Sequence, residues 1–125
     1  MALSEGIKRG TVELLVLTLL RDGDMYGYQI SQELATRSNG LYTLAESSLY
    51  PTLYRLLEKK VISDRQEKVG KRRTRVYYHL EEEGREYLEA LRAEYCQITR
   101  GIFYLLEIAD VDALGKGGVD GSEDG

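Results

Sequence analysis

The chain has 125 residues, 42% of them hydrophobic and 30% charged, which suits one domain with a modest core. No apolar run approaches the ~20 residues that span a bilayer, and residues 1–10 lack the apolar region of a secretory leader, so a cytoplasmic protein is expected, with no membrane partner. One cysteine (Cys96) and one histidine (His79) exclude an internal disulfide framework and a Cys/His metal cluster; neither metal nor cofactor is expected.

Gly10 to Arg21 predicts a helix. Val12, Leu14, Leu15, Val16, Leu17, Leu19 and Leu20 make it apolar on nearly every side, and such a helix is buried all round. A domain this small is expected to leave part of it to a partner subunit; a central helix of a compact monomer is the alternative. Gly23 suits a left-handed helix end and Asp24 the next N-cap, so Met25 to Arg37 forms a second helix with Ile30 and Leu34 inward. Gly27 in its first turn either permits a close approach or is a tolerated defect costing about 1 kcal/mol. Ser38-Asn39-Gly40 stops the helix, and Leu41 to Leu44 reads as a short extended piece.

The next helix, Ser47 to Lys60, organises the chain. Proline is tolerated only near a helix start, so Pro51 places the start just upstream, with Ser47 and Ser48 as candidate caps. Leu49, Leu53, Leu56 and Leu57 form an apolar stripe facing a core. The other face carries Ser48, Tyr50, Thr52, Tyr54, Arg55 and Lys59. Such a face is either solvated or laid on a polyanion.

Val61–Val69 and Thr74–Leu80 read as two strands. In the second, Val76, Tyr78 and Leu80 face one way and Arg75, Tyr77 and His79 the other, the period of a half-buried strand. Between them Gly70 opens a turn tipped by Lys71, Arg72 and Arg73. Although the whole chain is −4, the span from Arg55 to Arg75 holds nine cations and three acids, a net +6, leaving −10 elsewhere. Segregated charge of this kind is the footprint of a polyanion site. A helix with a polar, cationic face followed by a hairpin with a basic tip forms a winged helix-turn-helix. The fold class expected is therefore mostly α with a small β-hairpin.

Glu81 to about Asp110 predicts one long helix, with an acidic first turn matched to the helix dipole. Leu88, Leu91, Tyr95, Ile98, Ile102 and Leu105 alternate at spacings of three and four, a coiled-coil seam that predicts a homodimer. Gly101 interrupts it. Residues 111–125 are acidic and glycine-rich and are expected to be flexible. The organisation expected is a DNA-binding domain over 1–80, a dimerisation helix over 81–110 and the tail.

Three runs carry a family resemblance: Tyr26-Gly27-Tyr28-Gln29-Ile30, Ser48-Leu49-Tyr50-Pro51-Thr52-Leu53, and Arg75-Val76-Tyr77-Tyr78-His79-Leu80 with Glu83-Gly84-Arg85. Over residues 10 to 90 the chain resembles the PadR family of bacterial transcriptional regulators, in its smaller subfamily with one C-terminal helix. Tyr26 stands where histidine is usual and Glu81 where threonine is common. The resemblance implies a dimeric winged-helix repressor of transcription, often released by a small aromatic or lipophilic effector.

On this reading Ser47, Ser48, Tyr50, Thr52 and Tyr54 offer hydroxyls to bases or phosphates of double-stranded DNA. Arg55 and Lys59 contact phosphates, and Lys71, Arg72, Arg73 and Arg75 supply the wing. Tyr50 and Tyr54 have partial burial as their alternative. Tyr87, Tyr95, Phe103 and Tyr104 either line an effector pocket or merely pack an interface. His79 is expected to be an ordinary strand residue, and Cys96 a small buried residue beside the seam, an intersubunit disulfide being the sharper reading. A protein-interaction module is the other class. An enzyme is disfavoured by the absence of a phosphate-binding G-x-x-x-x-G-K-[ST] loop, a G-x-S-x-G elbow or any metal spacing.

Overall fold

The structure, a computed structural model, describes residues 2–116. It divides into two compact units, one running to Ala90 and one starting at Leu91. The first contains α1 (Ala2–Lys8), α2 (Val12–Asp22), β1 (Met25–Tyr26), α3 (Gly27–Arg37), α4 (Glu46–Glu58), β2 (Ile62–Lys68) and β3 (Thr74–Leu80). A long helix, α5 (Glu82–Leu106), starts in the first unit, and a 3-10 helix (Val111–Lys116) follows in the second. Among the described residues no helix is long and apolar enough to cross a membrane.

The core of the first unit is aliphatic. Leu14, Val16, Leu17, Leu19 and Leu20 of α2 are all buried, because α2 packs against α3, α4 and β3 together. Three elements wrap this helix within one chain, and Val12, Leu15 and Thr18 stay half-buried, the part of it still open to a partner. Leu49, Leu53 and Leu56 of α4, Ile30 of α3 and Leu88 of α5 complete the core, each less than 2% exposed.

The sheet has three strands in the order β1-β3-β2, all antiparallel. The hairpin runs in register from Ile62 opposite Leu80 to Lys68 opposite Thr74. Tyr78 and Leu80 point inward and are buried, while His79 is exposed, as the alternation predicts. The third strand lay outside that prediction. Met25 and Tyr26 pair with Tyr78 and Tyr77, whereas Leu41–Leu44, expected to be extended, forms no strand. Asp24 therefore does not cap a helix. The N-cap of α3 is Tyr26, and two residues are too few to show a period.

Gly84 explains how α5 joins this unit. A β-carbon there would collide with the Val61 carbonyl and meet Leu80 Cδ1 at 2.5 Å. The Val61 carbonyl also accepts from Glu81 N–H at 3.0 Å. Only a residue without a side chain lets the first turn of α5 lie this close to the base of the hairpin.

The second unit differs from expectation at three points. Helix α5 ends at Leu106, where Glu107 takes a positive φ of 60°. Residues 111–116 form the 3-10 helix rather than part of a flexible tail, and the rest of that tail, 117–125, lies outside the described residues. Cys96, expected to be buried beside the seam, is exposed in the single chain.

Candidate nucleic-acid interface

Helix α4 presents the candidate surface. It begins at Glu46 behind Ala45, which makes no side-chain cap, so Ser47 and Ser48 are not caps but exposed residues of the first turn. Pro51 sits in the second turn, exposed, and cannot donate to the Ser47 carbonyl. The helix ends in a left-handed residue, Lys60 (φ 62°), with Lys60 N–H on Leu57 O at 3.0 Å and Val61 N–H on Leu56 O at 3.2 Å. This end turns the chain directly into β2.

Thr52 is a correction. It is 4% exposed, because Leu49, Thr52, Leu53 and Leu56 fall at i, i+3, i+4 and i+7 and share the inward face. Its hydroxyl accepts from the Arg55 guanidinium at 3.0 Å, so it holds a neighbour instead of offering itself to a ligand. Tyr50 is half-buried and Tyr54 is exposed; their rings stack with centroids 6.1 Å apart. The Tyr50 hydroxyl donates to Glu46 Oε2 at 2.7 Å, and this bond, with burial, pushes the phenol up to about 12.

Arg55 and Lys59 are exposed but not free. Glu13 of α2 lies 3.7 Å from Arg55 Nε and 3.4 Å from Lys59 Nζ. Lys59 also donates to the Tyr87 hydroxyl at 2.7 Å. By contrast Lys71, Arg72 and Arg73 at the wing tip are exposed and make no ion pair among the described residues. Arg75 is half-buried, with its guanidinium 4.2 Å from the centre of the Tyr26 ring.

Three groups of residues near this surface escaped sequence reading. Asp24 accepts from Arg65 at 2.5 Å and pairs with His79 Nδ1 at 2.8 Å. Burial opposes the ionised carboxyl, but the bonds to His79 and Arg65 prevail and hold Asp24 below the usual carboxylate range. Glu13 is the second. The third is the end of α1, where Lys8 and the next residue, Arg9, join Ser48 and Arg55 around a groove of about 730 Å³ beside the start of α4. Lys8 is tied to the Thr43 carbonyl and lies over the Tyr42 ring. Apart from the charge of Lys8 and Arg9, no local signal marks these residues, because every partner is distant in sequence.

The expected seam divides between the two units. Leu88 is 1% exposed and belongs to the core of the first. Leu91 is half-buried, and Tyr95, Ile98, Ile102 and Leu105 are exposed. Of the aromatic residues expected around an effector, Tyr87 is engaged by Glu13 and Lys59 in the first unit, whereas Tyr95, Phe103 and Tyr104 lie in the second.

Residues 16–90 match the family described as "Transcriptional regulator PadR-like family". The chain belongs to that family. The matched span runs from α2 through the wing into α5, so it covers the whole candidate surface of this PadR-like regulator except α1 and Glu13. An uncharacterized protein from Lysinibacillus sphaericus is 34% identical over 101 residues, covering 81% of this chain and 93% of its own. The crystal structure of a PadR family transcriptional regulator from Eggerthella lenta superposes with a TM-score of 0.73 at 28% identity, over 86% of this chain and 92% of its own. Bacillus subtilis PadR, solved in complex with operator DNA, shares the fold with a TM-score of 0.61 at 24% identity, over 66% of this chain and 45% of its own.

Proposed function

We propose that this PadR-like regulator is a homodimeric repressor that binds an inverted-repeat operator in double-stranded DNA. The observation that carries the reading is the pairing, within one unit, of the exposed α4 face with a wing tip whose three cations are unpaired among the described residues. Helix α4 enters the major groove with its N-terminal end. Ser47, Ser48 and Tyr54 face the bases and phosphates, and Tyr50 flanks them. Arg55, Lys59 and the wing residues Lys71, Arg72, Arg73 and Arg75 contact the backbone. Bacillus subtilis PadR, which shares the fold, was solved with operator DNA.

The dimer forms through Leu91, Tyr95, Ile98, Ile102 and Leu105, spaced as a heptad seam. Burying each large apolar side chain contributes roughly 1.5–3 kcal/mol gross, which favours pairing over exposure. Two heads on one face of a duplex read half-sites about one turn, ~34 Å, apart. A small aromatic or lipophilic effector releases the repressor, with Tyr95, Phe103 and Tyr104 as its aromatic contacts.

Selection of binding sites from random duplexes with the purified protein tests this. A palindromic site with one-turn spacing, bound more weakly as salt rises, is expected. Binding that is absent at about 50 mM salt or indifferent to salt would instead leave a protein-interaction module.

A further inference from the structure

A cleft of about 410 Å³ opens between α4, the β1–α3 corner and the inner face of the wing. Tyr26, Tyr50, Tyr54 and Tyr78 line it, together with two carboxylates, Glu46 and Asp64, and one cation, Arg75. The carboxylates are a misfit. They lie in a surface otherwise suited to phosphate, and the DNA-binding reading gives them no role.

The chemistry of the lining points to positive charge. Ring faces and carboxylates both attract cations and repel anions. At the edge of the cleft, on the face of the sheet that carries Tyr77, the Arg75 guanidinium lies 4.2 Å from the Tyr26 ring centre. The Tyr50 ring is pinned by its hydroxyl on Glu46 and stacked against Tyr54. Tyr54 is 59% exposed, so that wall is open to an incoming ring. Glycine at position 27 makes room: a β-carbon there would stand 2.9 Å from the Tyr50 hydroxyl. The Tyr50 and Tyr78 phenols are both raised and so stay neutral, Tyr50 by Glu46 and Tyr78 by burial. The volume suits a small molecule.

We propose that this cleft binds an organic cation bearing an aromatic ring, with the ring against Tyr50 and Tyr54 and the charge toward Glu46 and Asp64. Tyr50, Tyr54 and Arg75 also belong to the proposed DNA surface, so occupant and DNA exclude each other; that second part rests on the DNA-binding reading.

Calorimetry of the full chain without DNA tests the site, using phenyltrimethylammonium as the cation, benzyl alcohol as a neutral ring and benzoate as an anionic one. The cation should bind at least tenfold more tightly than either. Glu46→Gln with Asp64→Asn should weaken it at least tenfold, and so should Tyr54→Leu, an exposed change that leaves folding intact. Amide shifts in the wild type should cluster at 26–27, 46–54 and 74–78. Equal affinity for benzyl alcohol, unchanged binding by the folded variants, or shifts confined to residues beyond 90 would each overturn the site. With a selected duplex present, the probe should raise the apparent Kd for DNA beyond the effect of equal sodium chloride. A complex unmoved at saturating probe overturns the exclusion. Cation binding without any DNA binding would sink the DNA reading and leave the site standing.

Discussion

The hydroxyl of Tyr87, in the second turn of α5, donates to Glu13 Oε1 at 2.8 Å across 74 positions of sequence. The same carboxylate faces Arg55 of α4 and Lys59 at its C-terminal cap, so one acid on α2 holds two of the proposed phosphate contacts and the start of the long helix together. Phosphate must compete with Glu13 for both cations. Glu13→Gln should therefore raise affinity for any duplex several-fold and steepen the salt dependence of log K by up to about 2, near one unit per added phosphate contact. A salt titration of wild type and variant measures this; an affinity unchanged at every salt concentration would show that neither cation meets DNA.

Removing the wing tip should act the opposite way. Lys71, Arg72 and Arg73 are exposed, so the triple alanine variant should keep its stability within about 0.5 kcal/mol. It should lose affinity for all sequences alike and flatten the salt slope by roughly 2.7, the value for three phosphate contacts. A loss confined to the selected site would instead assign the wing to base reading.

Gly84 and Gly27 make a contrast that thermal unfolding can resolve. A β-carbon at Gly84 meets the backbone carbonyl of Val61, which cannot turn aside, whereas at Gly27 it meets the far end of a side chain, the Tyr50 hydroxyl, which can shift at the expense of its bond to Glu46. Gly84→Ala should cost about 1–3 kcal/mol through overpacking. Gly27→Ala should cost less and show itself in the cleft instead, through a displaced Tyr50.

Asp24 ties β1 to the wing through His79 and Arg65. Its folded pKa lies below the ordinary value, so the ionised form is favoured by folding. The contribution is present above the unfolded pKa of ~3.9 and fades as pH falls through the lower folded value. Asp24→Asn should thus destabilise by on the order of 1 kcal/mol at pH 7, a charge-assisted bond discounted for partial exposure. The deficit should shrink in denaturation curves as pH falls below the unfolded value.

Leu91→Asp with Ile98→Asp should give a monomer in sedimentation with the first unit still folded, because Leu91 is only half-buried and Ile98 is exposed. A dimer that survives both changes would sink the seam.

Much of this molecule is legible in local pattern. The leucines of α4, the alternation of Val76, Tyr78 and Leu80, and the basic turn between the strands each lie within one element, where a period of 3.6 or 2 reports which side is buried. The inward place of Thr52 was legible too, since it completes the spacing of Leu49, Leu53 and Leu56. Its polarity misled, because a hydroxyl satisfied within the helix can be buried at little cost.

By itself, then, the sequence determined the four helices α2 to α5 and the hairpin strands between them, the face that α4 buries, the segregated positive charge and the family. Tertiary structure alone decided that Met25 and Tyr26 form a third strand, that Leu88 joins the core, that Glu13 claims Arg55 and Lys59, and that Asp24 joins His79. Each of those depends on partners from elsewhere in the chain. A contact across 41, 55 or 74 positions leaves no period in the residues that make it, and exists only once the core has brought the elements together.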